Sequence, residues 1–155
     1  MQVRQAVALC VAFVLFAELI VAAVRGAEVM YIGGTVKNLA EATEGRLDTQ
    51  NEEKLIFTSD KGGFEIPYGS ITSLEYGQKA GRRVGVAIVI TVWALFSKKR
   101  KHFLTIGYND SQGKPQGVVI EIAKGRAKTM ITIIEARSGK KVEYESEEAK
   151  KHVHG

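Results

Sequence analysis

The sequence predicts an α+β protein, mainly β: a curved antiparallel sheet or partly open barrel with a C-terminal amphipathic helix, preceded by an N-terminal signal helix. Three observations carry this. Short runs of β-branched and aromatic residues, broken by Gly, Asp and Asn, recur from 28 to 122. One segment of helical period follows. A long apolar run, interrupted only by Glu18, lies near the start of the chain. At 155 residues, the length fits one domain with short extensions. The apolar fraction of 45% and charged fraction of 25% are those of a globular protein, which excludes global disorder.

"MQVRQ" carries one arginine. "AVALCVAFVLFAELIVAAV" follows, interrupted only by Glu18, and "VRGAEV" brings small residues. A basic start, an apolar centre and a small-residue exit describe a signal peptide over 1–26. Cleavage after Gly26 places Val24 and Gly26 at the small-residue positions; cleavage after Ala23 is the alternative. The competing reading is an uncleaved anchor, since Ala6 to Val24 is about long enough to span a bilayer. Glu18 makes a permanent span costly. Either way the rest is expected to be exported, to the periplasm or the outer face of a membrane. The sole cysteine, Cys10, falls inside this segment. The remainder therefore has no disulfide, Cys metal site or Cys nucleophile.

The domain is expected over 27–145. "EVMYIGGTV" (28–36) reads as a first strand ending at Gly-Gly. "KNLAEATEG" is a polar connection. Leu47 fits a short strand before "DTQNEE". Leu55–Thr58 and Phe64–Tyr68 form two strands joined by "SDKGG", where Asp and Gly supply turn chemistry. "GSITSLEYGQ" follows, with Ile71, Leu74 and Tyr76 pointing inwards. Leu104, Ile106 and Tyr108 alternate on one strand and Val118, Ile120 and Ile122 on the next, with the polar loop "NDSQGKPQG" between them. Ala127, Met130, Ile131 and Ile134 then fall at i, i+3, i+4, i+7, a helical stripe stopped by Gly139. The β-branched run "ITII" pulls towards strand. Residues 146–155 read as a frayed polar tail.

"LIFTSDKGGFEIPYGSITSLEYGQ" resembles the early strands of bacterial PH-like or GRAM-like domains. Those run from an apolar strand through a Gly turn to "IPY" and an "I-x-x-L-E" strand. "HFLTIGYNDSQGKPQGVVIEI" and "ITIIEARSGKKVEY" resemble the later hairpin and closing helix. The resemblance spans about 29–145 and implies a binding or scaffolding module. Members that bind phosphoinositides carry basic residues in the first strand–loop–strand unit. Here "GGTVKNLAEATEGRL" has only Lys37 and Arg46 against two glutamates, so that ligand is not implied.

The catalytic inventory is thin. No HExxH, GxSxG, P-loop or GxGxxG occurs. His102 ends a basic run, where a surface or strand-edge role is expected. His152 and His154 lie in the tail, and a third fixed metal ligand is missing. Ser59, Ser70 and Ser73 sit in turn-like contexts. Glu75, between Leu74 and Tyr76, should face solvent by alternation. "NDS" at 109–111 matches a glycosylation triplet and equally a hairpin loop. A non-enzymatic protein is expected, with no cofactor, no metal and no small-molecule substrate. The net charge of +5 is too weak and diffuse to announce nucleic-acid binding.

The distinctive feature is the hydrophobic insert 81–102, "GRRVGVAIVITVWALFSKKRKH". Val84–Phe96 carries no charge. As helix it is roughly 20 Å long, against about 30 Å of hydrocarbon. Three readings compete: a tilted span, a loop dipping into lipid, and burial against the protein itself or a partner. The favoured reading is the dip. Val84, Ile88, Val92, Trp93, Leu95 and Phe96 are the expected membrane or partner contacts. Arg82, Arg83, Lys98, Lys99, Arg100 and Lys101 are the expected contacts to anionic headgroups. The rival is a self-associating or partner-binding module that hides the insert in an interface.

Overall fold

The computed structural model describes residues 26–78, 101–123 and 125–154. Eight strands form one sheet: β1 (Ala27–Gly34), β2 (Thr43–Asp48), β3 (Lys54–Ser59), β4 (Gly62–Pro67), β5 (Ile71–Gly77), β6 (Phe103–Asn109), β7 (Pro115–Ile122) and β8 (Val142–Tyr144). Two helices follow β7: α1 (Ala127–Ser138) and α2 (Glu147–His154). The spatial order is β4-β3-β2-β1-β7-β6-β5-β8. Every neighbouring pair is antiparallel except β5 with β8. The sheet is therefore mixed, not wholly antiparallel as expected. The cause is α1, a crossover that returns the chain so that β8 runs the same way as β7 and β5.

The sheet is curved. A three-residue 3-10 turn, Tyr68–Ser70, joins β4 at one edge to β5 near the other. From Pro67 to Ile71 the chain reaches at most about 14 Å. Laid flat, six strand spacings would separate β4 from β5 by roughly 29 Å. Only a curled sheet lets so short a turn close that gap. The barrel stays open, because β4 and β8 are edges and do not pair.

The concave face holds the core, and α1 packs on the corner formed by the 3-10 turn. Leu55, Phe57 and Ile66 share one cluster with Leu74, Tyr76, Leu104, Ile106, Val118 and Ile120. Phe57 and Phe64 stack at 5.0 Å, and Tyr31 leans on both. From α1 the cluster takes Ala127, Met130, Ile131 and Ile134, the stripe predicted by spacing. Thr132 is exposed and Ile133 half-buried, so the β-branched run follows helical period despite its strand propensity. Gly139 caps the helix at φ 69° and donates its N–H to the Glu135 carbonyl. The Arg137 guanidinium donates to the carbonyls of Thr49 and Asn51 and lies 5.5 Å above the Tyr68 ring, fixing the helix end to the β2–β3 loop.

Residues 147–154 are not a frayed tail. They form α2, whose Ala149 and Val153 enter the core. Ser146 Oγ accepts from the Ala149 N–H at the helix start, and Lys151, His152 and His154 occupy the last turn.

Candidate functional site: the rim where the apolar segments attach

Antiparallel register places Met30, Glu121, Phe103 and Gly77 in one row across β1, β7, β6 and β5. That row marks one end of the sheet. At this same end the chain leaves β5 through Gln78, comes into β6 through Lys101 and His102, and enters β1 through Gly26. The apolar runs 6–24 and 84–96 thus attach to a single rim.

Gly77 pairs with Phe103, so Gln78 and Lys101 leave adjacent strands. Both residues therefore leave the sheet at the same end. No described helix is long and apolar enough to cross a membrane.

Val84, Ile88, Val92, Trp93, Leu95, Phe96, Arg82, Arg83, Lys98, Lys99 and Arg100 lie outside the described residues. Lys101 lies within them. Its Nζ sits 2.7 Å from a Glu121 carboxylate oxygen on β7, both side chains being partly exposed. This last cation of the basic run is thus partly neutralised by the sheet.

The C-terminal segment braces the rim. The Glu145 N–H donates to the Tyr76 carbonyl at 3.0 Å. The Glu145 carboxylate accepts from the Gln78 N–H at 2.6 Å. The Tyr76 hydroxyl and His152 Nδ1 are 2.9 Å apart. The His152 ring stacks on His102 at 3.8 Å, and His102 stacks on Tyr76 at 5.6 Å. Tyr144 pairs its hydroxyl with His154 Nε2 at 2.9 Å. Gln78 and His102, at the ends of β5 and β6, are therefore both held by one C-terminal unit. Burial pushes the Tyr76 phenol up to about 12, with Tyr144 adding to it, so Tyr76 is neutral at ordinary pH.

Two expectations change here. His102 is 7% exposed rather than superficial, because it points to the concave side beside Tyr76 and α2 covers it. Glu75 does lie opposite Leu74 and Tyr76, as alternation requires, but that face is not open to solvent, and Glu75 is 6% exposed. The convex face carries a second apolar cluster of Ile32, Phe103 and Val119, with Met30 packed against it and Thr105 buried nearby. The sequence showed one signal of the C-terminal brace: Ala149 and Val153 are four residues apart after a serine cap and two glutamates.

Beside the rim a groove of about 720 Å³ is lined by Glu28, Glu44, Asp60 and Glu121, with Arg46 as the only cation among the described residues that line it. Among the described residues no three His, Cys, Asp or Glu side chains are placed to hold a metal. The near-parallel rings of His102 and His152, 17° apart, aim their nitrogen lone pairs side by side rather than at a common point. No family model matches the chain, and no curated protein matches it.

Proposed function

We propose that this chain is an exported, non-enzymatic binding or scaffold module, held peripherally at a membrane by the loop containing Val84–Phe96. The observation that carries the reading is the shared rim. Both apolar runs of the sequence attach to one end of the sheet, so a single orientation presents both to one surface. Burial of Val84, Ile88, Val92, Leu95 and Phe96 supplies affinity, Trp93 sits at headgroup depth, and the flanking Arg and Lys residues meet anionic phosphates. The proposal includes a PH-like fold. The chain order supports it: a four-strand meander, a three-strand meander paired through β1 and β7, then a helix on the corner between β4 and β5.

Liposome flotation of residues 27–155 tests this. The protein is expected to float with anionic vesicles, less at high salt, and to stay in solution once a short Gly-Ser link replaces Val84–Phe96. Equal flotation of both forms rejects the reading.

A second reading has its own support. The convex cluster of Ile32, Phe103 and Val119 begins two residues from Lys101 and is only 0–3% exposed, so an apolar face already covered from water lies beside the loop. A soluble self-associating or partner-binding module is then expected. Light scattering without detergent separates the two: a defined soluble oligomer that dissociates when the loop is replaced favours this one.

A further inference from the structure

The brace at the rim contains an ionisable joint that the membrane reading does not use. His102 leads into β6 and His152 lies in the last turn of α2, and their rings stack face to face at 3.8 Å. We propose that α2 is a pH-dependent clamp on the rim, docked while at least one of these histidines is neutral and released when both are protonated. The proposal concerns α2 and its dock, and holds whichever surface the loop meets.

The surroundings fix the sign. From β5, Tyr76 presents a neutral hydroxyl to His152 Nδ1, with Glu75 on the opposite face of that strand. From β8 and the turn after it come Glu143, Tyr144 and Glu145, the last committed to the Gln78 N–H. On α2, Glu148 lies one helical turn before His152, and Lys151 adjoins it. Just before β6 the neighbouring cation, Lys101, is paired with Glu121. One proton on the pair is accommodated, because a charged His152 donates through Nδ1 to the Tyr76 oxygen and the nearby carboxylates offset the charge. A second places two positive charges in face-to-face rings, where water screens them poorly. The docked state therefore binds fewer protons than the released one. Docking is favoured above the ordinary histidine value of about 6.5 and weakens as pH falls below it.

The remaining grip of α2 is small enough for this charge to matter. Only Ala149 and Val153 enter the core from it. α1, by contrast, buries four side chains and is pinned by Arg137, with no histidine in it. Release of α2 should leave α1 in place. It would also uncover His102 and loosen the hold on Gln78, the residues flanking the loop.

Amide hydrogen exchange of the full chain in neutral detergent micelles tests this at about pH 7.5 and about pH 5, after correction for intrinsic rates. Protection of 148–154 is expected to fall about tenfold or more at the lower pH while 130–138 keeps its protection. In H152F and H102F, which keep an aromatic ring but cannot charge, α2 should stay protected at both values. Unchanged α2 protection in the wild type overturns the proposal. So does loss shared equally by α1, which is global unfolding, or a wild-type response in H102F. If H152F fails to dock at either pH, H102F decides: protection at both values supports the clamp and a wild-type response overturns it.

Discussion

The Glu145 carboxylate accepts a 2.6 Å hydrogen bond from the backbone N–H of Gln78, 67 residues earlier in the chain. This bond caps the first amide beyond β5, at the point where the chain leaves the sheet. Its partner donor is part-buried, so losing the acceptor leaves an amide poorly hydrated. E145A should destabilise the fold by about 1–3 kcal/mol, the range for a charged hydrogen bond, and E145Q by less. Urea unfolding of residues 27–155 measures both. Equal stability of E145A and wild type would show that water replaces the carboxylate at no cost.

A methyl group on Gly77 would strike that same Glu145 side chain. G77A therefore has to displace the carboxylate to be accommodated. It should lose about as much stability as E145A, and the double variant G77A/E145A should be less destabilised than the sum of the two. Additive losses would mean that the two sites do not share one contact.

The helical stripe of α1 makes a position-specific claim. Ile131 and Ile134 are 1% and 0% exposed, while Thr132 faces solvent. I131A or I134A should cost about 2–5 kcal/mol through lost burial and the cavity left behind. T132A should stay within about 0.5 kcal/mol. Urea midpoints give the comparison, and a large loss in T132A would contradict the face assignment.

These elements differ in how readable they were, for physical reasons. The stripe Ala127, Met130, Ile131, Ile134 and the alternating pair Leu104–Ile106 and Val118–Ile120 announce themselves because each buries one face, which stamps its period on the sequence. The curvature followed from nothing local. It comes from the short Tyr68–Ser70 turn joining strands that are far apart in sheet order. Glu75 was misjudged because alternation tells which face a residue takes, not whether that face is wet. The pairing of His102 with His152 was not legible because neither has a sequence neighbour that marks it. Their stack exists only once α2 docks, and α2 is too short, with too few apolar residues, to stand out from a polar tail. The rim where both apolar runs attach is a product of strand register, which sequence spacing does not contain.

Gly34 has φ 154°, and a Cβ there would run into the carbonyl oxygen of Gly117. That oxygen already accepts from the Thr35 N–H at 2.8 Å, while Thr35 Oγ1 accepts from the Gly117 N–H at 3.0 Å. The close approach of β1 to β7 depends on the missing side chain. G34A should cost about 1–3 kcal/mol and should loosen exchange of the Gly117 amide before that of β3 and β4. A neutral result would show that β1 can shift without breaking the Thr35–Gly117 bonds.

Tyr31 gives the protein an alkaline limit. Its ring leans on the stacked pair Phe57 and Phe64, and its phenol is pushed up to about 12, chiefly by burial, with Tyr108 and Glu41 adding to the effect. In the unfolded chain the group ionises near its ordinary value of about 10. Below about 10 both states are neutral, and the stabilisation is fully present. Between about 10 and 12 the unfolded state sheds its proton while the folded state keeps it, so unfolding becomes progressively easier. Above about 12 the folded state ionises too and nothing further is lost from this group. Urea unfolding at a series of alkaline pH values should therefore show stability falling across that window. Tyr76 adds a second proton of the same sign. Y31F keeps the ring contacts and should remove about one proton's worth of slope, leaving the share of Tyr76 and of Tyr108 and Tyr144, which burial also pushes up. A slope unchanged in Y31F would mean that the Tyr31 phenol ionises alike in both states, and that its burial does not resist the charge.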